Sequence, residues 1–266
     1  MPKILLCFPE GRHKALTLSY DDGTVADRRL IELLGRSGLK GTFHLNSGLF
    51  GIPGRLTEEE AAGLYEGHEI SAHTLTHPTI ARCPREQIVH EIMEDRKGLE
   101  RLAGYTVRGM SYPNGSFNRE IKGMLPSLGI EYSRVVESTG GFGMPDDWLE
   151  WKPTCHHKDR LLERTETFLG LHKTQYLYLM YVWGHSYEFD NDNNWELIER
   201  FCELAGGHDD IWYATNIQIL DYVKAYGQLK FSADMSFVQN PTAGSIWLSV
   251  DGRIVEVKGG SRIDLA

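Results

Sequence analysis

The sequence predicts an α/β protein on a parallel sheet, open or closed, with a small β appendage at its C-terminal end. Three observations predict it. Strand-like runs alternate with amphipathic helical segments over the first 227 residues. Polar residues able to do chemistry stand at the ends of those strands, where parallel α/β folds carry their sites. Composition and charge then change near Gly227: the tail carries four basic and four acidic residues, so the net charge of −9 belongs to what precedes it. The expected division is a domain over residues 1–227 and an appendage over 228–266.

In order along the chain, Ala15 to Tyr20 reads as the first strand, and Ala26, Leu30, Ile31, Leu33 and Leu34 share one face of the helix after it. Gly41 to Leu45 is the second strand. Thr57 and Glu60 form a capping box that opens a helix. Glu69 to His73 is a strand, and a helix follows Pro84 with Ile88, Ile92 and Leu99 inward. Arg108 to Tyr112 is strand-like, with a helix expected over about 118–128. Tyr132–Val136, Trp151–Cys155, Tyr176–Val182 and Ile211–Ala214 supply further strands, with helices at 195–204 and 217–226. In the tail, Ser245–Val250, Asp251-Gly252 and Arg253–Val257 form a two-residue hairpin signal within three to five short strands. Such a tail could cover one end of the domain, bind a ligand or mediate pairing of chains.

Several functional classes drop out on composition. With 41% apolar and 24% charged residues the chain is neither collagen-like nor disordered. Its longest apolar run, Tyr176–Trp183, is far shorter than a membrane span. The acidic balance argues against a nucleic-acid groove. Cys7, Cys83, Cys155 and Cys202 are scattered, as expected of reduced thiols, and the first residues lack a secretory pattern, so a cytoplasmic location is expected.

The strand ends carry Asp21-Asp22-Gly23, His73-Thr-Leu-Thr-His77, Tyr112-Pro-Asn-Gly115, Cys155-His156-His157 and Trp183-Gly-His185. His73 and His77, four apart, would share one side of a helical turn limited by Pro78. Two histidines and a carboxylate make a catalytic zinc set that leaves room for water. Adjacent buried aspartates repel, and a divalent cation on one of them removes that problem. Asp-Asp-Gly is also ordinary turn chemistry.

Taken together, Thr17–Gly23, Gly67–Pro78, Ser111–Gly115 and Val182–His185 resemble, in order, the motifs of the polysaccharide deacetylase family, the NodB-homology carbohydrate esterases. The resemblance covers about residues 13–226. It implies a distorted (β/α) barrel of about seven parallel strands and metal-dependent removal of acetyl groups from N-acetylated sugars or oligosaccharides by direct attack of a metal-bound water. By position it implies Asp21 as general base and His185 as general acid. Asp22, His73 and His77 become ligands to a divalent ion, zinc first, with cobalt or nickel as alternatives. Tyr112, the Asn114 N–H at the oxyanion and Trp183 would face the substrate. The family often carries an arginine, directed at the base, where this chain has Ser111; Arg108 lies three residues upstream. Two other readings stay open: hydrolysis of a different small amide on the same fold, and a non-catalytic carbohydrate-binding relative.

Among the remaining candidates, Cys155-His156-His157 lacks enough partners in sequence to complete a second metal site, and alternation turns His156 away from its neighbours. His44 reads as a core histidine, and Asp190–Asn194 as a polar loop capping the next helix.

Overall fold

The structure, a computed structural model, describes residues 2–265. Fourteen strands are assigned: β1 (Ile4–Cys7), β2 (Lys14–Asp21), β3 (Gly41–Leu45), β4 (Glu69–Ala72), β5 (Gly109–Ser111), β6 (Tyr132–Arg134), β7 (Cys155–His156), β8 (Tyr178–His185), β9 (Ile211–Tyr213), β10 (Lys230–Phe231), β11 (Phe237–Gln239), β12 (Ile246–Val250), β13 (Arg253–Val257) and β14 (Arg262–Asp264). The helices are α1 (Asp27–Arg36), α2 (Glu58–Leu64), α3 (Arg85–Ala103), α4 (Arg119–Met124), α5 (Leu161–Leu169), α6 (Tyr187–Asn191), α7 (Trp195–Ala205) and α8 (Asn216–Tyr226).

Seven parallel strands run in the order β6-β5-β4-β3-β2-β8-β7. The ring closes through a parallel bridge between Trp151, just before β7, and Arg134 of β6, where the Val135 N–H donates to the Trp151 carbonyl at 3.1 Å. This is a distorted (β/α) barrel. An eighth strand, β9, pairs with Lys14–Leu16 at the start of β2, and β3 pairs with β2 from Leu18 onward. The expected strand over 151–155 shrinks to this bridge plus β7, because Pro153 has no N–H for a ladder. The helix expected to reach residue 128 is α-helical only to Met124 and continues as a 3₁₀ turn containing Pro126. The capping box at Thr57 and Glu60 forms as expected, and Thr215 and Gln218 make a second one at α8.

Register decides what the barrel can do. Asp21, the last residue of β2, lies level with His44 of β3 and His185 of β8. Ser111 of β5 lies level with Arg134 of β6. Gly109 is required where it stands, since a Cβ there would overlap the Tyr132 ring. Apolar side chains facing the helices form the main core. Facing inward are Ser19, His44, Ser71, Ser111 and Arg134, all fully buried, so the barrel interior is polar.

The tail makes two small antiparallel sheets, β10-β11-β14 and β1-β12-β13. Asp251 and Gly252, with φ of 50° and 86°, form the hairpin turn with both central residues left-handed. The partner of β12 is β1, at the other end of the sequence. A second apolar cluster joins Val238, Ile246, Leu248, Val250 and Val257 of the tail to Ala15, Leu179 and Trp151. It lies at the N-terminal strand ends, opposite the site described next. Among the described residues no helix is long and apolar enough to cross a membrane.

Candidate active site

Four segments meet at the C-terminal mouth of the barrel. Asp21 and Asp22 leave β2 together, and Asp22 takes a left-handed φ of 87°. His73 and His77 sit on the loop after β4. The helical turn expected from their spacing is absent: Thr74 and His77 have φ of 66° and 59°, and the loop folds so that the two rings lie 4.7 Å apart. Asn46 holds this loop by donating to the His73 and Thr74 carbonyls at 2.6 and 2.8 Å. Asp95 of α3 accepts the His73 N–H at 2.9 Å, and Glu91 accepts from Thr76. Strained backbone is therefore over-determined by buried carboxylates and an amide.

His77 Nε2 and His73 Nε2 lie 3.8 and 4.0 Å from Asp22 Oδ1. That oxygen is buried without a hydrogen-bond partner, although the Arg55 guanidinium is 3.2 Å away. The His73 Nδ1–H donates to the Ser111 carbonyl at 2.9 Å, leaving Nε2 as the free lone pair. Burial foremost lowers the His73 pKa to about 4, so its ring is neutral at physiological pH. Asp22, His73 and His77 thus converge as one carboxylate and two imidazoles, the donor set that fits a divalent transition ion.

Asp21 is 2% exposed. Burial pushes its carboxyl up, but Arg134 first, then His73, His44 and His185, hold it well below the usual carboxylate range. Arg134 is fully buried; it is paired with Asp21 Oδ2 and stacked on Trp183, 4.2 Å from the ring centroid. The Ser111 hydroxyl donates to Asp21 Oδ1 at 3.2 Å. The arginine directed at Asp21 therefore comes from β6, one strand over from Ser111. Arg108 does not substitute for it: it pairs with Asp221 at 2.6 Å and Glu131 at 3.3 Å, away from the mouth.

His185 Nε2 lies 4.0 Å from Asp21 Oδ2, and its Nδ1–H donates to Glu188 Oε2 at 3.2 Å. Burial lowers the His185 pKa, but the Glu188 hydrogen bond and the Asp21 charge outweigh it and raise the net value above the ordinary one. In the role of general acid that the resemblance implies, His185 would act when protonated, with activity present below this pKa and lost as pH rises through it. Glu188→Gln removes the charged acceptor. The alkaline limb of kcat/KM should then move to lower pH, costing about tenfold per unit of displacement on that side. A pH–rate profile with an unmoved alkaline limb would separate Glu188 from His185.

Of the other sequence-derived candidates, Trp183 is 8% exposed and forms wall between Arg134 and His156. Tyr112 is buried, stacked on Phe117, and its hydroxyl donates to the Leu149 carbonyl at 2.8 Å, so it supports the turn rather than meeting a substrate. Asn114 has a φ of 56°; the turn uses the next two N–H groups, Gly115 to the Tyr112 carbonyl and Ser116 to that of Pro113. Asp190 accepts the Trp195 indole N–H at 2.8 Å, while Asn194 makes no side-chain cap. Sequence reasoning missed Arg134 and Glu188. Each had a signal: Arg134 ends a strand, and Glu188 follows His185 by three residues.

The fold and site define a (β/α) barrel with a candidate divalent-metal centre at its C-terminal mouth. Residues 9–133 match the family model described as polysaccharide deacetylase. It is 27% identical over 112 residues to the peptidoglycan-N-acetylglucosamine deacetylase PgdA of Listeria monocytogenes, covering 41% of this chain and 23% of that protein. It is 30% identical over 133 residues to a chitin deacetylase of a Pestalotiopsis species, covering 50% of this chain and 45% of that one. The chain thus spans less than half the length of either relative. A Mycobacterium smegmatis structure assigned to the polysaccharide deacetylases shares the fold with a TM-score of 0.63 at 16% identity, covering 85% of this chain and 96% of that one. A carbohydrate esterase family 4 pseudoenzyme from Bacillus anthracis shares it with a TM-score of 0.52 at 14% identity, covering 80% and 67%.

Proposed function

We propose that this chain is a metal-dependent hydrolase that removes acetyl groups from N-acetylated sugars. The observation that carries the reading is a register: Asp21 and His185 stand level on adjacent strands, beside the convergent Asp22, His73 and His77. The pseudoenzyme shows that this fold alone does not decide between catalysis and binding. What supports catalysis in this reading is that Asp21, His185 and the Asp22, His73 and His77 set occur together at one mouth.

Asp22, His73 and His77 would hold the ion, which when bound supplies Lewis-acid polarisation of the amide carbonyl and of water. Asp21, kept ionised by Arg134, takes a proton from the water that attacks the carbonyl carbon. The Asn114 N–H would stabilise the oxyanion. As the carbon–nitrogen bond breaks, His185 gives its Nε2 proton to the departing amine, while Glu188 holds the Nδ1–H and the positive charge. Acetate and a free amino sugar leave.

Relatives named for peptidoglycan N-acetylglucosamine and for chitin make N-acetylglucosamine oligomers the first substrates to test. Acetate release is expected from such oligomers with added zinc, cobalt or nickel, and is expected to vanish with a chelator. If no acetate appears with any metal while small ureides or formamides are hydrolysed, the substrate class is a different amide. Sugar binding without any hydrolysis would make the chain a binding protein.

A further inference from the structure

Behind His185 lies a second convergence of ligating groups, of which the proposed reaction uses only Glu188. His156 and His157 leave the end of β7, and Glu188 projects from α6. His156 Nε2 lies 3.1 Å from Glu188 Oε2, and His157 Nε2 lies 3.4 Å from the same oxygen. His157 is 1% exposed, and neither of its ring nitrogens has a hydrogen-bond partner. An imidazole buried in that state leaves its nitrogens unsatisfied, and an ion ligated at Nε2 would remove the cost at that nitrogen. The surroundings fix the ring: it stacks against Phe189 at 4.3 Å and Tyr20 at 5.8 Å, and Gly184 lacks the Cβ that would overlap it.

We propose that His156, His157 and Glu188 form a second divalent-cation site, separate from the one at Asp22, His73 and His77. Ligand bonds of about 2.0–2.2 Å in a tetrahedral zinc site put ligand atoms about 3.3–3.5 Å apart, close to the spacing found here. Two imidazoles and one carboxylate select zinc, cobalt or nickel over magnesium or calcium. His157 is buried against Tyr20 and Phe189, surroundings that favour the neutral imidazole that ligation needs. His156, partly exposed at the rim, provides the way in. Lys158 Nζ sits 3.0 Å from the outer oxygen, Glu188 Oε1, and 2.7 Å from Asp192, so a second carboxylate holds the ammonium when an ion takes Glu188. The sequence offered only the two histidines; the third ligand comes from the helix beyond β8. Because Glu188 Oε2 also holds His185 Nδ1–H, an ion here would act on the general acid as well.

The test is metal stoichiometry on the metal-stripped full chain, titrated with zinc alone and, separately, with cobalt alone for its visible absorption. The wild-type chain is expected to hold two ions, and His156→Gln and His77→Gln one each, with folding checked by circular dichroism. His157→Asn is a second probe of the site, read only if it folds. One ion in the wild type, lost in His77→Gln and kept in His156→Gln, overturns the second site and spares the first. One ion lost in His156→Gln and kept in His77→Gln upholds the second site and removes the first. Two ions in both variants, or none in the wild type, overturns the proposal.

Discussion

Asp21→Asn is expected to keep its divalent ion at Asp22, His73 and His77 while losing about 10³-fold in kcat. The asparagine preserves the shape of the side chain and the Ser111 hydrogen bond, but it cannot take a proton. Asp21 lies 3.8 Å from His73 Nε2 and is not part of the converging ligand set, so metal content should hold. The loss should fall on kcat rather than KM, because the base acts in the transition state and not in holding the sugar. One cost accompanies the change. Arg134, fully buried, would face a neutral amide and lose its counter-charge, so some loss of stability is expected with the loss of rate. Metal analysis, acetate release and urea unfolding on one preparation separate these effects. A variant that stays within tenfold of wild type while holding metal would remove Asp21 from the base role.

What the sequence made legible is local. Asp21-Asp22, His73/His77 and His185 could be placed because strand ends and short spacings are written in consecutive residues. The hairpin at Asp251-Gly252 was readable for the same reason. What was not legible depends on distant pairings. Ser111 reads as a missing arginine until β5 and β6 are laid side by side, when Arg134 stands at the same level. The β1–β12 pair joins residues from opposite ends of the chain, and no periodicity announces it. The loop at His73 misled for another reason: a spacing of four suits a helix, but Asn46, Glu91 and Asp95 draw the backbone into left-handed turns instead.

Arg134 carries the largest structural consequence. Arg134→Met keeps much of the side-chain volume and removes the charge. Its expected cost is about 3–5 kcal/mol, because a carboxylate that is 2% exposed loses its main partner. The sign with pH can be worked out. The folded-state pKa of Asp21 is depressed, so the wild type gains stability above the ordinary carboxylate range and loses it as pH falls through the folded value. The variant lacks that gain. The stability gap between the two should be widest near neutral pH and narrow as the solution is taken below the ordinary aspartate value. Urea midpoints across that range would show it. A gap that is constant with pH would mean that Arg134 acts through packing on Trp183 alone. Activity should fall about 10²-fold, since an unpaired Asp21 is driven toward its protonated form and ceases to be a base. Moving the arginine next door is the sharper probe. Ser111 and Arg134 are register partners on adjacent strands, and the Ser111 hydroxyl already reaches Asp21. The exchange Ser111→Arg with Arg134→Ser should therefore recover rate relative to Arg134→Ser alone. It also forfeits the Ser111 hydroxyl at His73 Nδ1, 2.7 Å away, while the Ser111 backbone carbonyl stays to fix the ring. Recovery of rate with metal content intact would show that the base needs a buried guanidinium and that either strand can deliver it.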